Sequence, residues 1–180
     1  MNSTWIVGAA PTEGRHKNDY YPTPPEVTKA LIEFLELPEG TTIWECACGS
    51  GDMANVFRNN GYKTIATDIA FGMDFLTCDV QECDWIITNP PFTHAEAFIR
   101  RAWEIGKPFA FLLKTQYWHS KKRLPLFLEH KPTCVCPLTW RPDFTGKGNS
   151  LMDMIWCVWN PGISVLPTFY VPLIKPEEGK

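Results

Sequence analysis

A mostly parallel β-sheet with helices on both faces is the architecture that this 180-residue sequence predicts. Three observations carry the expectation. Short apolar runs alternate with helix-compatible stretches along most of the chain, as in α/β proteins. The run Thr42-Ile43-Trp44-Glu45 ends in an acid and opens into a turn punctuated by Gly49 and Gly51, and the next run ends in a second acid, Asp68.

In chain order, residues 1–18 read as a polar, flexible arm. A helix over 24–36 enters through Pro24-Pro25, which the first turn of a helix tolerates, and places Val27, Leu31, Phe34 and Leu35 at helical spacing. Strand 42–46, helix 52–60, strand 63–67, a short strand near 75–78, strand 84–88, helix 93–105 and strand 108–113 follow. Right-handed crossovers then build a parallel sheet. Beyond it lie a helix near 120–129 and strands near 132–138 and 152–159, the last strongly apolar, and residues 161–180 form an extended, proline-containing tail. The length suits one domain, spanning 19–160, with one good core.

Net charge is −3, but unevenly spread. Residues 1–99 hold 5 Lys/Arg against 14 Asp/Glu, whereas 100–147 hold 10 against 3. An acidic first half suits a cationic small molecule; a basic segment suits phosphates, which supply most sequence-independent affinity for nucleic acid. Lys114, Tyr117, Trp118, Lys121, Lys122 and Arg123 mix cations with rings, the composition of a single-strand or flipped-base surface, although a basic helix face in solvent has the same composition. Residues 115–150 are therefore the candidate substrate-contact segment. Seven cysteines without regular spacing argue for reduced thiols in a cytoplasmic protein. Cys46/Cys48 and Cys134/Cys136 are two C-x-C pairs, read as small apolar side chains on strand faces rather than as a zinc site, so no metal is expected. Neither a signal segment nor an apolar stretch long enough for a bilayer is visible, so no membrane partner is expected.

Asn89-Pro90-Pro91-Phe92, after the apolar run Trp85-Ile86-Ile87-Thr88, is the most informative feature. Asparagine offers a carbonyl acceptor, and proline lacks an N–H but keeps its carbonyl, so two acceptors can face one NH2 group with no competing donor between them. Phe92 adds a face on which a planar ring can stack, at roughly 1–3 kcal/mol per base. A plain turn after a buried strand would use the same residues. Glu45 at the first strand end would repel a pyrophosphate and welcome a cation, and the third glycine of the dinucleotide fingerprint is missing. Asp68 stands where a carboxylate accepts from ribose hydroxyls. Asp74 and Phe75 offer an acceptor and an aromatic wall to an adenine; surface acids are the plainer alternative for all three carboxylates.

With these motifs in this order, the chain resembles the class I S-adenosylmethionine-dependent methyltransferases, and within them the DNA N6-adenine methyltransferases of compact phage and prophage type. The resemblance implies a Rossmann-like, mostly parallel seven-stranded sheet with an antiparallel last strand, the final two strands forming a hairpin. It implies S-adenosyl-L-methionine as cofactor, with Tyr21 and Thr23 of a Tyr-x-Thr-Pro segment over its methionine part. Glu45, Gly49 and Gly51 match the first sheet motif, with Cys46 where proline is commoner; Asp68, Asp74 and Phe75 match the ribose and adenine sites. Asn89, Pro90 and Phe92 match the catalytic tetrapeptide, with Asn89 also against the cofactor, and Arg141, in Arg141-Pro142-Asp143-Phe144, joins the nucleic-acid contacts. DNA is the implied partner, with RNA as the alternative, for a monomer or weak homodimer in a bacterial or phage-infected cytoplasm. Cytosine-N4 enzymes usually carry Ser in place of Asn89, and cytosine-C5 enzymes need a Pro-Cys nucleophile, whereas here Cys136 precedes Pro137. Protein glutamine methyltransferases share the tetrapeptide, and a silent nucleic-acid-binding module would share the fold.

Overall fold

The computed structural model describes residues 21–146, 148, 152–162, 169–171 and 173–177. The expected arm over 1–18 lies outside them. Seven strands form one sheet: β1 (Thr42–Glu45), β2 (Lys63–Ala66), β3 (Trp85–Thr88), β4 (Phe109–Lys114), β5 (Cys134–Pro137), β6 (Met154–Trp159) and β7 (Phe169–Tyr170), in the order β2-β1-β3-β4-β6-β5-β7. Every pairing is parallel except those of β6, which runs antiparallel between β4 and β5.

The strand period sorts side chains onto two faces. Ile43, Ile87, Ala110, Leu112, Trp156 and Val158 point to one face, where they pack with Val27 and Leu31 of α1 (Pro25–Leu35) and Met53 and Phe57 of α2 (Asp52–Asn59). Trp44, Ile86, Phe109, Phe111, Cys157 and Trp159 point to the other, against Phe98, Ile99 and Ala102 of α3 (Ala95–Ile105) and Leu126 of α4 (Leu124–Glu129). Both faces being covered explains why β4 and β6 read as continuous apolar runs. The indole N–H of Trp156 donates to the Val27 carbonyl at 3.0 Å, tying the first helix to β6.

Two elements differ from expectation. No strand forms over 75–78. Asp74 Oδ1 instead accepts from the Leu76 N–H at 3.0 Å, and the Asp74 carbonyl accepts from the N–H groups of Thr77 and Cys78, closing a turn that removes the donors a ladder would need. The seventh strand comes from the tail: Phe169 N–H donates to the Thr133 carbonyl and Val171 N–H to the Val135 carbonyl, so part of the expected wrap is sheet. The two C-x-C pairs do not converge, because Cys46 packs on one face of the sheet and Cys134 and Cys136 on the other.

Candidate active site

Glu45, Asp68 and Asn89 sit at the carboxyl ends of three adjacent parallel strands, in the order β2-β1-β3. β1 connects to β2 through a helix on one face and β3 to β4 through a helix on the other, which opens a crevice beyond these strand ends. A cleft of about 690 Å³ lies there, lined by Tyr21, Thr23, Glu45, Gly49, Asp68 and Asn89 among others.

The glycine loop is shaped by its neighbours. Gly51 caps α2 at φ 87°, and a Cβ there would meet nothing within 4 Å, so conformation rather than space demands the glycine. Gly49 N–H donates to Asp68 Oδ2 at 2.9 Å while Asp68 Oδ1 accepts from Ala70 N–H at 2.8 Å. One carboxylate thus joins the β1 loop to the β2 turn. Cys48 N–H donates to the Thr67 carbonyl, and Trp44 Nε1–H to Thr67 Oγ1 at 2.8 Å inside the core, so the junction is held on both sides.

Glu45 is only 3% exposed, and its Oε2 has no hydrogen-bond partner among the described residues. Burial pushes its carboxyl up to about 8; the Ala54 backbone N–H and the Arg58 charge pull it down, while Asp52 and Asp68 push it further up. Near neutral pH this carboxyl on the cleft wall is therefore protonated in the free protein, and a cation brought beside it would favour its ionised form. Cys48 lines the same wall, but burial and the charges of Glu45 and Asp68 push its thiol up to about 11, so it stays protonated and is no nucleophile.

Asn89 Nδ2 donates to Thr23 Oγ1 at 3.1 Å and to the Tyr21 carbonyl at 3.4 Å, while Oδ1, held out of water, has no partner among the described residues. Phe92 adjoins this wall without lining it, its ring centroid 5.6 Å from that of Tyr21, which in turn meets Phe144 edge-on at 6.4 Å. Lys114 Nζ lies 3.8 Å from the Phe92 centroid and 5.9 Å from that of Tyr21. Composition marked Lys114 for nucleic acid; only the fold shows that it reaches the face of Phe92.

Other expected positions fall elsewhere. Pro90, Gly51, Asp74 and Phe75 do not line the cleft. Phe75 is 1% exposed, its ring 5.2 Å from Trp44 and 4.8 Å from Phe98, so it fills the core rather than presenting a wall to a ligand. Tyr117 is buried, edge-on to Phe127 and under the Arg123 guanidinium at 4.0 Å, while half-buried Trp118 has one ring face taken by Phe127 at 4.0 Å. Arg123 also donates to the Tyr117 carbonyl and is committed to packing, while Lys121 and Lys122 are exposed. Arg141 pairs with Asp153 at 2.7 Å on the surface. Ile69 and Ala70, which sequence reading missed, line the cleft directly after Asp68; their place following a strand-end acid was the available signal.

No family model matches the chain, and no curated protein matches it. Solved structures do. A type I restriction-modification system methyltransferase subunit from Streptococcus thermophilus aligns with TM-score 0.64 and 15% identity over 84% of this chain, which spans 47% of that one. A Vibrio vulnificus chain assigned as the modification subunit of a type I restriction enzyme aligns with TM-score 0.60 and 15% identity, over 89% of this chain and 48% of that one. A SAM-dependent O-methyltransferase from Thermotoga maritima aligns with TM-score 0.52 and 17% identity, over 76% and 65% respectively. The fold is that of the Rossmann-like class I methyltransferases. The chain spans about half the length of the first two of these neighbours. Among the described residues, no helix is long and apolar enough to cross a membrane.

Proposed function

We propose that this chain transfers a methyl group from S-adenosyl-L-methionine to the N6 amine of adenine in DNA. The observation that carries the reading is the Asn89 amide of the cleft wall, whose Nδ2 donates to Thr23 and Tyr21 while its Oδ1, shielded from water in the free protein, has no partner among the described residues and is left to accept from an amine that displaces its cover. An orphan acceptor costs about 1–3 kcal/mol unless a ligand donor reaches it.

The residues present fit the cofactor. The cleft lies within the roughly 300–1,000 Å³ typical of small-molecule sites, Glu45 is a buried carboxyl that a cation would draw into its ionised form, and Asp68 stands at the strand end that suits a ribose. When bound, the cofactor supplies a methyl group activated by a sulfonium. Adenine N6 is a poor nucleophile because its lone pair is delocalised into the ring. Asn89 Oδ1 accepts from the amine and localises that pair, joined by the Pro90 carbonyl once the wall that covers Pro90 in the free protein gives way, and these hydrogen bonds strengthen as positive charge develops on nitrogen. Phe92 receives the base on its face, which requires the Lys114 ammonium to move from that face to a phosphate. The excess proton then leaves to water, with no covalent intermediate. The Tyr21-Pro22-Thr23-Pro24 segment and Arg141-Pro142-Asp143-Phe144, which carry the resemblance to compact phage and prophage adenine methylases, support DNA over RNA.

The test is to incubate the protein with labelled cofactor and, separately, DNA and RNA, and to map the modified base. N6-methyladenine in DNA is expected. Asn89→Ala should lose turnover by roughly a thousandfold while cofactor affinity, read by calorimetry, changes only a few fold. Unchanged turnover in that variant removes the mechanism, and product only in RNA replaces the substrate.

A further inference from the structure

We propose that Thr23 is a positioning residue: its hydroxyl, with the Tyr21 carbonyl, holds the Asn89 amide in the one orientation that presents Oδ1 to the substrate amine. The inference rests on the function proposed above.

The sequence makes this segment stiff. Tyr21 precedes Pro22 and Thr23 precedes Pro24, and the residue before a proline is driven to extended backbone. Pro24 then caps α1, accepting from Val27 N–H at 3.0 Å, so the segment is fixed at its far end by the helix. Thr23 is 5% exposed although it lines the cleft.

The hydrogen-bond chemistry sets the amide's direction. A backbone carbonyl can only accept, so the Tyr21 oxygen selects the NH2 end of Asn89 rather than its oxygen. At 3.4 Å that contact is long. The shorter bond, 3.1 Å to Thr23 Oγ1, takes the second amide hydrogen. With both hydrogens engaged, turning the amide over would place Oδ1 against the Tyr21 carbonyl, oxygen against oxygen. A hydroxyl that accepts from Asn89 directs its own proton elsewhere, and Thr23 borders the cleft. Thr23 therefore stands between the space for the methyl donor and the acceptor for the amine. Without its hydroxyl, the long contact is what remains among the described residues to oppose rotation, and misplacement of a reacting group by about 1 Å costs up to about a hundredfold in rate.

Thr23→Val keeps the shape and the β-branch suited to extended backbone but removes the hydroxyl, and Thr23→Ser keeps the hydroxyl. At saturating cofactor and DNA, kcat of Thr23→Val should fall roughly ten- to a hundredfold, with KM for DNA changed less than kcat, and Thr23→Ser should retain most of it. Wild-type kcat in the valine variant, or a serine variant as impaired as the valine one, overturns the inference; so does a loss that vanishes when cofactor is raised to saturation. Should the valine variant fail to fold by circular dichroism, Thr23→Ala replaces it with the same expected outcomes. Asn89→Ala, assayed alongside, separates the two levels: if it turns over normally the underlying function falls, whereas if it is inactive and Thr23→Val is not, only the role of Thr23 falls.

Discussion

The strand-end cleft and the 115–150 segment were both marked as functional by sequence, and their marked side chains have different surroundings. In the cleft, Glu45, Gly49, Asp68 and Asn89 come from separate stretches of chain yet line one space. In the 115–150 segment, Tyr117, Trp118 and Arg123 lie within seven residues of one another, but Phe127 and the Arg123–Tyr117 contact engage them. A carboxylate at the end of a parallel strand has its position fixed by the sheet. An aromatic residue in a basic helical stretch has two possible destinations, and the apolar underside of a short helix claims it first.

Glu45→Gln probes the cleft half and should have the largest effect. Cofactor affinity near pH 8 should fall by about a hundredfold, since the amide cannot ionise beside the cation as the glutamate does. The free protein should gain on the order of 2–4 kcal/mol near pH 8, by denaturant titration. The sign follows from linkage: the folded chain keeps a proton on Glu45 up to about 8, which the unfolded chain releases near 4.5. The folded form therefore loses stability as pH rises from about 4.5 to 8, and its affinity for a cationic cofactor climbs as pH rises toward about 8, where Glu45 of the free protein ionises. Equal stability of the two proteins across that range would mean that Glu45 is not desolvated in the free state.

Trp118→Ala tests the other half, and about 3 kcal/mol of stability should go with the stacked ring. DNA affinity of the remaining folded protein should stay near wild type. A variant of unchanged stability that binds DNA poorly would restore the ring to a contact surface and break the contrast. The smallest effect belongs to Lys121→Ala with Lys122→Ala: DNA affinity should drop several fold, with a salt slope reduced by about 1–2. An identical slope would exclude both lysines from the phosphate path.

Legibility followed the same division. Six of the seven strands were readable because β1 to β6 are apolar runs bounded by turns. The expected strand over 75–78 failed because Asp74 folds its own backbone into a turn, a local choice that periodicity does not register. β7 was invisible, since two residues on an edge carry no pattern. Within the site, chemical types at strand ends were legible, whereas Lys114 over Phe92 and the hold of Thr23 on Asn89 join residues far apart in sequence. Phe75 shows the converse, as an aromatic side chain next to a functional-looking acid that the core required.

The bond from Trp156 to the Val27 carbonyl has a bearing on biosynthesis. Helix α1 is seated partly by a residue that emerges from the ribosome more than a hundred positions later, because β6 must slot between β4 and β5 before its indole can reach Val27. A nascent chain that stalls before β6 would carry Asn89 and the glycine loop but would lack the support that settles α1, and Thr23 just ahead of it, into place. A chain that ends before β6 should therefore hold α1 less firmly than the full chain does, which faster amide hydrogen exchange in α1 would reveal.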